Sequence, residues 1–178
     1  MTTALFSSFV AQTYSRSDFA YRISLLREFL EFVFFTTRTS HVGNESLDQF
    51  TAAGARPVSD IAFLRALPMP FFEVFTQDSL YTVLDKLSQE AKQLPTLSLT
   101  LPVVLSQSDR EMIGAWVRTA LGNDVLIEVD VDRTVAVGCR LVWNNQHHNY
   151  DFDHYLAKCS GTLRTQLGQH MLAGAAPR

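Results

Sequence analysis

The feature that most constrains this chain is a change of hydrophobic period at Pro95. Before it, apolar residues recur every three or four positions, as on one face of an α-helix. After it, Leu97, Leu99, Leu101, Val103 and Leu105 alternate with polar or small neighbours, as on one face of a strand. Helices followed by strands, with no regular βαβ alternation along the whole chain, point to the α+β class.

The helical half divides at its punctuation into six expected segments. The first, about residues 3 to 13, places Phe6, Phe9 and Val10 on one stripe. The second starts near a Ser17/Asp18 cap and carries Phe19, Ile23, Leu26, Leu30 and Val33 at i, i+4, i+7, i+11 and i+14, with Leu25, Phe29 and Phe32 widening the face. Asn44 is the expected cap of a short third helix with Leu47, Phe50 and Ala53 inward, stopped by Gly54. Pro57 suits the first turn of a fourth carrying Ile61, Leu64 and Leu67. Pro68 and Pro70 bracket a break before a short apolar turn of Phe71, Phe72, Val74 and Phe75. Asp78/Ser79 opens the sixth, with Leu80, Val83, Leu84, Leu87, Ala91 and Leu94.

Beyond Pro95 a strand is expected over residues 96–105, with Pro102 pushing it toward an edge or bulge. Ser108 and Glu111 have capping-box spacing ahead of a helix bearing Met112, Ile113, Trp116, Val117 and Leu121, closed by Gly122. Val125 to Val131 and Val135 to Trp143 read as two further strands, Asn144 to Asn149 as a polar loop, and Asp151 as the N-cap of a last helix with Phe152, Leu156, Cys159, Leu163 and Leu167. The fold expected is therefore a six-helix bundle over residues 1–94, a small β-α-β-β-α domain over 95–173, and a disordered tail over 174–178.

Composition excludes several classes. An apolar fraction of 47% with 13 Phe can build cores, so disorder over most of the length is excluded. Fifteen basic against eighteen acidic residues, with no basic run, argues against gripping nucleic acid through its phosphates. Two cysteines without Cys-x-x-Cys spacing suggest neither a disulfide framework nor a redox pair, and make a reducing setting the default. The first sixteen residues lack the basic and apolar regions of a signal peptide, and no transit peptide is evident. The most apolar stretch, Phe29 to Phe35, contains Glu31 and falls short of the about 20 residues that span a bilayer.

Chemistry-bearing clusters are few. His147, His148, Asp151, Asp153 and His154 lie within eight residues and could share a metal, but Asp151 suits a cap and Asp153 the positive end of a helix. Cys159 falls on an apolar stripe, as a structural cysteine would. Nucleophile elbows, glycine-rich phosphate loops and H-E-x-x-H are missing, so neither catalysis nor a cofactor is expected. The phenylalanines of the first half have two readings: ordinary core, or core plus an apolar groove for a partner helix.

Three stretches carry a resemblance. Val125-Leu126-Ile127-Glu128-Val129-Asp130-Val131-Asp132-Arg133-Thr134-Val135-Ala136-Val137-Gly138-Cys139-Arg140-Leu141 has a strand, an Asp with Thr two residues on, and a glycine-bearing strand. Leu99 to Ser106 has the strand and entry to the next helix, and Phe71 to Leu84 a junction between two helices. Together they resemble the delta subunit of bacterial F-type ATP synthases, the counterpart of the oligomycin-sensitivity-conferring protein. Val137-Gly138 replaces the family's usual Gly pair, Asn149-Tyr150-Asp151 its Asp-x-Ser, and Asp78-Ser79 its Gly-Arg.

The resemblance implies a non-catalytic stator part, peripheral on the cytoplasmic face of the bacterial inner membrane and associated with the membrane only through the complex. The helical lobe would bind amphipathic N-terminal helices of alpha subunits in a groove of Phe6, Phe9, Val10, Phe71, Phe72, Val74 and Phe75. The second lobe would hold the b subunit of the peripheral stalk, through Leu156, Leu163 and Leu167. The alternative is a helical adaptor of another complex that binds some other amphipathic helix.

Overall fold

The computed structural model describes residues 3–37, 42–54, 56–122 and 124–174, with side chains described within residues 6–165 of those ranges, Leu163 excepted. In chain order the elements are α1 (Thr3–Ala11), α2 (Arg16–Glu31) running into a π-helical turn (Phe32–Thr36), α3 (Asn44–Ala53), α4 (Val58–Ala66), α5 (Met69–Phe72), α6 (Leu80–Gln93), β1 (Thr96–Leu101), α7 (Gln107–Leu121), β2 (Leu126–Val131), β3 (Arg140–Trp143), β4 (Gln146–Asn149) and α8 (Phe152–Gly174). The sheet is mixed, with order β2-β1-β3-β4. The chain separates into two compact units that interleave in sequence: residues 1–96 with 106–128, and residues 97–105 with 129–178.

The first unit is built on α2. Ser15 caps it, its hydroxyl accepting from the Asp18 N–H at 3.1 Å, and the whole stripe Phe19, Ile23, Leu26, Leu30 and Val33 is buried. Phenylalanines fill the space around it. Phe9 meets Phe19 with ring centroids 4.9 Å apart, Phe63 at 5.4 Å and Phe71 at 6.0 Å, while Phe29 meets Phe50 at 5.2 Å and Phe72 at 5.8 Å. Most of these pairs are edge-on or tilted, the arrangement favoured by the ring quadrupole. Each buried Phe is worth about 1.5–3 kcal/mol of transfer free energy, so this cluster is a principal reason the unit holds together.

Helix α7 belongs to the same unit through Arg118. That buried side chain donates to the backbone carbonyls of Val125 at 3.3 Å, Ala11 at 3.2 Å and Thr13, and its guanidinium lies 4.7 Å from the Tyr14 ring centroid. Burial pushes its pKa below the ordinary arginine value. Nearby, the Ile127 N–H donates to the Tyr14 carbonyl at 2.9 Å, and Ser15 bridges Ile127 in parallel. Gly114 lets α7 approach this segment, since a Cβ there would stand 2.5 Å from the Tyr14 Cβ.

In the second unit β1 pairs antiparallel with β3, Leu99 opposite Leu141, and β3 pairs antiparallel with β4, Leu141 opposite His148. Asn144 and Asn145, at φ 49° and 61°, form the two-residue hairpin turn. Asp151 caps α8, its Oδ1 accepting from the His154 N–H at 2.7 Å.

The expected six-helix bundle followed by β-α-β-β-α is corrected in both halves. Before β1 only α2, α3 and α6 reach ten residues, α5 is a single turn of four, and α2 ends in a π turn. The first unit is completed by α7 and the start of β2 rather than by residues 1–94 alone. The later half runs β-α-β-β-β-α, because the segment read as a polar loop contains β4. The long third strand shrinks to Arg140–Trp143, since Asp132 to Cys139 turn instead. Pro102 follows β1, which lies inside the sheet and not at its edge.

Caps shift as well. Ser15, Gly43 and Ser106 stand at the N-caps of α2, α3 and α7, where Ser17/Asp18, Asn44 and Ser108 were expected. Residues 175–178, most of the expected disordered tail, lie outside the described residues.

Candidate partner-binding surfaces

The residues assigned to a groove by resemblance are brought together, but as core. Phe9, Val10, Phe71, Phe72 and Phe75 are all buried, Phe6 packs partly buried against them, and only Val74 is exposed. Phe71 stands 5.6 Å from Phe72 and 5.5 Å from Phe75 between ring centroids, so α5 and the turn after it plug the unit from one side. Of the two readings for these phenylalanines, burial is the one observed. Of the seven residues, the accessible ones are Val74, exposed, and Phe6, half-buried.

Helix α8 is the opposite case. Leu156 is 40% exposed, and Phe152 and Tyr155 are exposed at 52% and 69%. Residues 152, 155, 156 and 159 are spaced i, i+3, i+4 and i+7, one helical face, and Cys159 on it is half-buried. Side chains of the other two expected anchors, Leu163 and Leu167, lie outside the described residues. Phe152 is legible as part of the stripe, but periodicity does not reveal that Phe152 and Leu156 stand exposed. On α7, Met112 and Trp116 are likewise exposed, although their spacing read as inward, and Val117 alone of its expected apolar face is buried.

The start of α8 is anchored by charge. Arg140 reaches Asp151 Oδ2 through Nε at 3.0 Å and Asp132 Oδ2 through Nη1 at 3.2 Å. The Asp132 carboxylate also accepts from the Thr134 hydroxyl at 2.6 Å and N–H at 2.8 Å. The Thr134 bonds, with the nearby Arg140 charge, hold the Asp132 pKa below its ordinary 3.8. The His154 N–H, aided by Arg140 and Asn149, lowers that of Asp151.

A depressed carboxylate pKa stabilises the fold above the ordinary value, and that stability is lost as pH falls through the depressed one. In a Trp116→Phe background, where Trp143 alone reports, acid unfolding of the second unit should set in only as pH falls below the ordinary aspartate value of 3.8, and Asp151→Asn should flatten it. A transition centred above the ordinary aspartate value would contradict this linkage.

Asp151 is thus occupied as a cap and ion-pair partner. His147 and His148 are consecutive in β4, opposite Val142 and Leu141, so they project to opposite faces. Among the described residues no three His, Cys, Asp or Glu side chains are grouped to hold a metal ion. No described helix is long and apolar enough to cross a membrane. In comparison with known proteins, no protein-family model and no curated protein sequence matches the chain.

Proposed function

We propose that the chain is a non-catalytic peripheral-stalk subunit of a proton-translocating F-type ATP synthase, joining the catalytic head to the b subunit and resisting the torque of the rotor. The observation that carries this reading is the exposure of three apolar side chains on one face of α8, Phe152, Tyr155 and Leu156. Such a face suits a second amphipathic helix laid along it, the chemistry of a stalk end. The three stretches that resemble the delta subunit supply the identity of that helix. On the other unit, exposed Val74 and half-buried Phe6 are the accessible points for the N-terminal helices of alpha subunits. Membrane association comes only through the complex, on the cytoplasmic face of a bacterial inner membrane.

The test is to tag the chain in its native cell, solubilise membranes gently and identify co-purifying proteins by mass spectrometry. Recovery of alpha, beta and b subunits is expected. The double variant Phe152→Asp, Leu156→Asp should keep its fold, because both side chains are exposed, yet lose b by a hundredfold or more, about two buried apolar anchors. Purification without these subunits, or with another complex, would replace this reading with the adaptor.

A further inference from the structure

The first unit contains a cleft of about 580 Å³ beside the π-helical turn, within the roughly 300–1,000 Å³ range of ligand sites. A cation from the chain itself already stands in its wall, Arg56. The Arg56 guanidinium carbon lies 4.3 Å from the Phe50 ring centroid, and Nη1 is 2.9 Å from Glu28 Oε2. A guanidinium stacked on an aromatic face and tied to a carboxylate is a favourable combination for arginine.

The same wall also holds a second carboxylate and two further aromatic rings, Glu31 with Phe32 and Phe35. Phe32 and Phe35 line the cleft from the π turn, Phe35 exposed at 44%, and Glu31 stands where α2 meets that turn. Tyr81 donates its hydroxyl to Glu31 Oε1 at 3.0 Å, fixing the carboxylate while using one of its about four acceptor positions. The turn is closed by an i→i+5 bond, Thr37 N–H to the Phe32 carbonyl at 3.0 Å. Such turns are rare and concentrate at functional sites.

Charge favours a cation. Among the described residues the lining holds Glu28 and Glu31 against Arg56, while Arg27, which acts electrostatically on the Tyr81 hydroxyl, is outside it. The mouth is open at Phe35 and Tyr81, leaving room for a stem that continues outward.

We propose that this cleft binds an arginine side chain presented by a partner polypeptide, its guanidinium paired with Glu31 and its stem laid over Phe32 and Phe35. This stands apart from the stator reading: it uses only residues of the first unit and survives if no ATP synthase subunit is recovered.

The test is a titration of the ¹⁵N-labelled full chain with the capped peptide acetyl-Gly-Arg-Gly-amide, followed by amide shifts. Saturable shifts confined to Glu31–Thr36 and Tyr81 are expected, and the same peptide with citrulline, a neutral isostere, should give none. Glu31→Gln keeps an acceptor for Tyr81, so its melting temperature should match that of the parent chain while affinity falls about tenfold, as for a lost charge-assisted bond. No saturable shift, equal binding of the citrulline peptide, or unchanged affinity in Glu31→Gln would overturn the site. Ethylguanidine binding as tightly as the peptide would overturn the polypeptide source.

Discussion

Replacing Gly138 with alanine is expected to destabilise the second unit by about 3 kcal/mol or more, the sum of a strained backbone and an overpacked contact. Gly138 has φ 108°, a conformation that side chains rarely adopt. Its missing Cβ faces the chain entering α8: a methyl there would press on the Tyr150 carbonyl oxygen and stand 2.9 Å from the Asp151 Cα. Both neighbours are backbone, so neither can rotate away. Relief requires segments 137–139 and 150–152 to separate. That would break the bonds from Tyr150 N–H to the Cys139 carbonyl at 2.9 Å and from Phe152 N–H to the Val137 carbonyl at 2.8 Å, and would disturb the Asp151–Arg140 pair. Denaturant unfolding followed by Trp143 fluorescence in a Trp116→Phe background would measure this. A loss below about 1 kcal/mol would mean the approach is looser than described.

Replacing Arg118 with methionine should cost the first unit about 3 kcal/mol. The three carbonyls of Ala11, Thr13 and Val125 would lose their donors, and a buried acceptor left unsatisfied costs about 1–3 kcal/mol. Methionine preserves most of the packing volume, so the deficit isolates the hydrogen bonds from the stem. Lysine should recover less than half of it, because its three donors radiate from one nitrogen and cannot reproduce a planar fork spanning Val125 and Thr13. Equilibrium unfolding of the two variants separates the cases. If lysine restored the parent stability, charge alone and not the fork would be the cause.

Local pattern and structure agree where one face of an element is buried. The α2 stripe is buried at every expected position, and Asp151 caps α8 as its place before an apolar run suggested. The errors share a cause. β4 is Gln146-His147-His148-Asn149, exposed at every residue, so it has no apolar alternation to announce it. The turn before it, Asn144-Asn145, was a hairpin signal hidden inside an apparent loop. At α7, Ser106 with Asp109 and Ser108 with Glu111 have the same capping spacing, and only the former pair makes both bonds of the box. Whether an apolar stripe is covered is a separate matter that spacing does not encode. Phe9 and Phe71 at helical spacing look the same whether another helix of this chain or of a partner covers them, and here the chain covers them itself. Phe152 and Leu156 have the same pattern and remain exposed.

By itself, then, the order of residues determined the class of the chain, the period switch at Pro95, the inward face of α2 and the cap of α8, because each depends on neighbours within about four positions. Tertiary structure alone decided that α7 completes the first unit, that Arg118 ties segments 105 and 107 positions apart, and which apolar stripes are core. Contacts at that separation follow from how elements pack, and periodicity does not encode which element will supply the opposite wall.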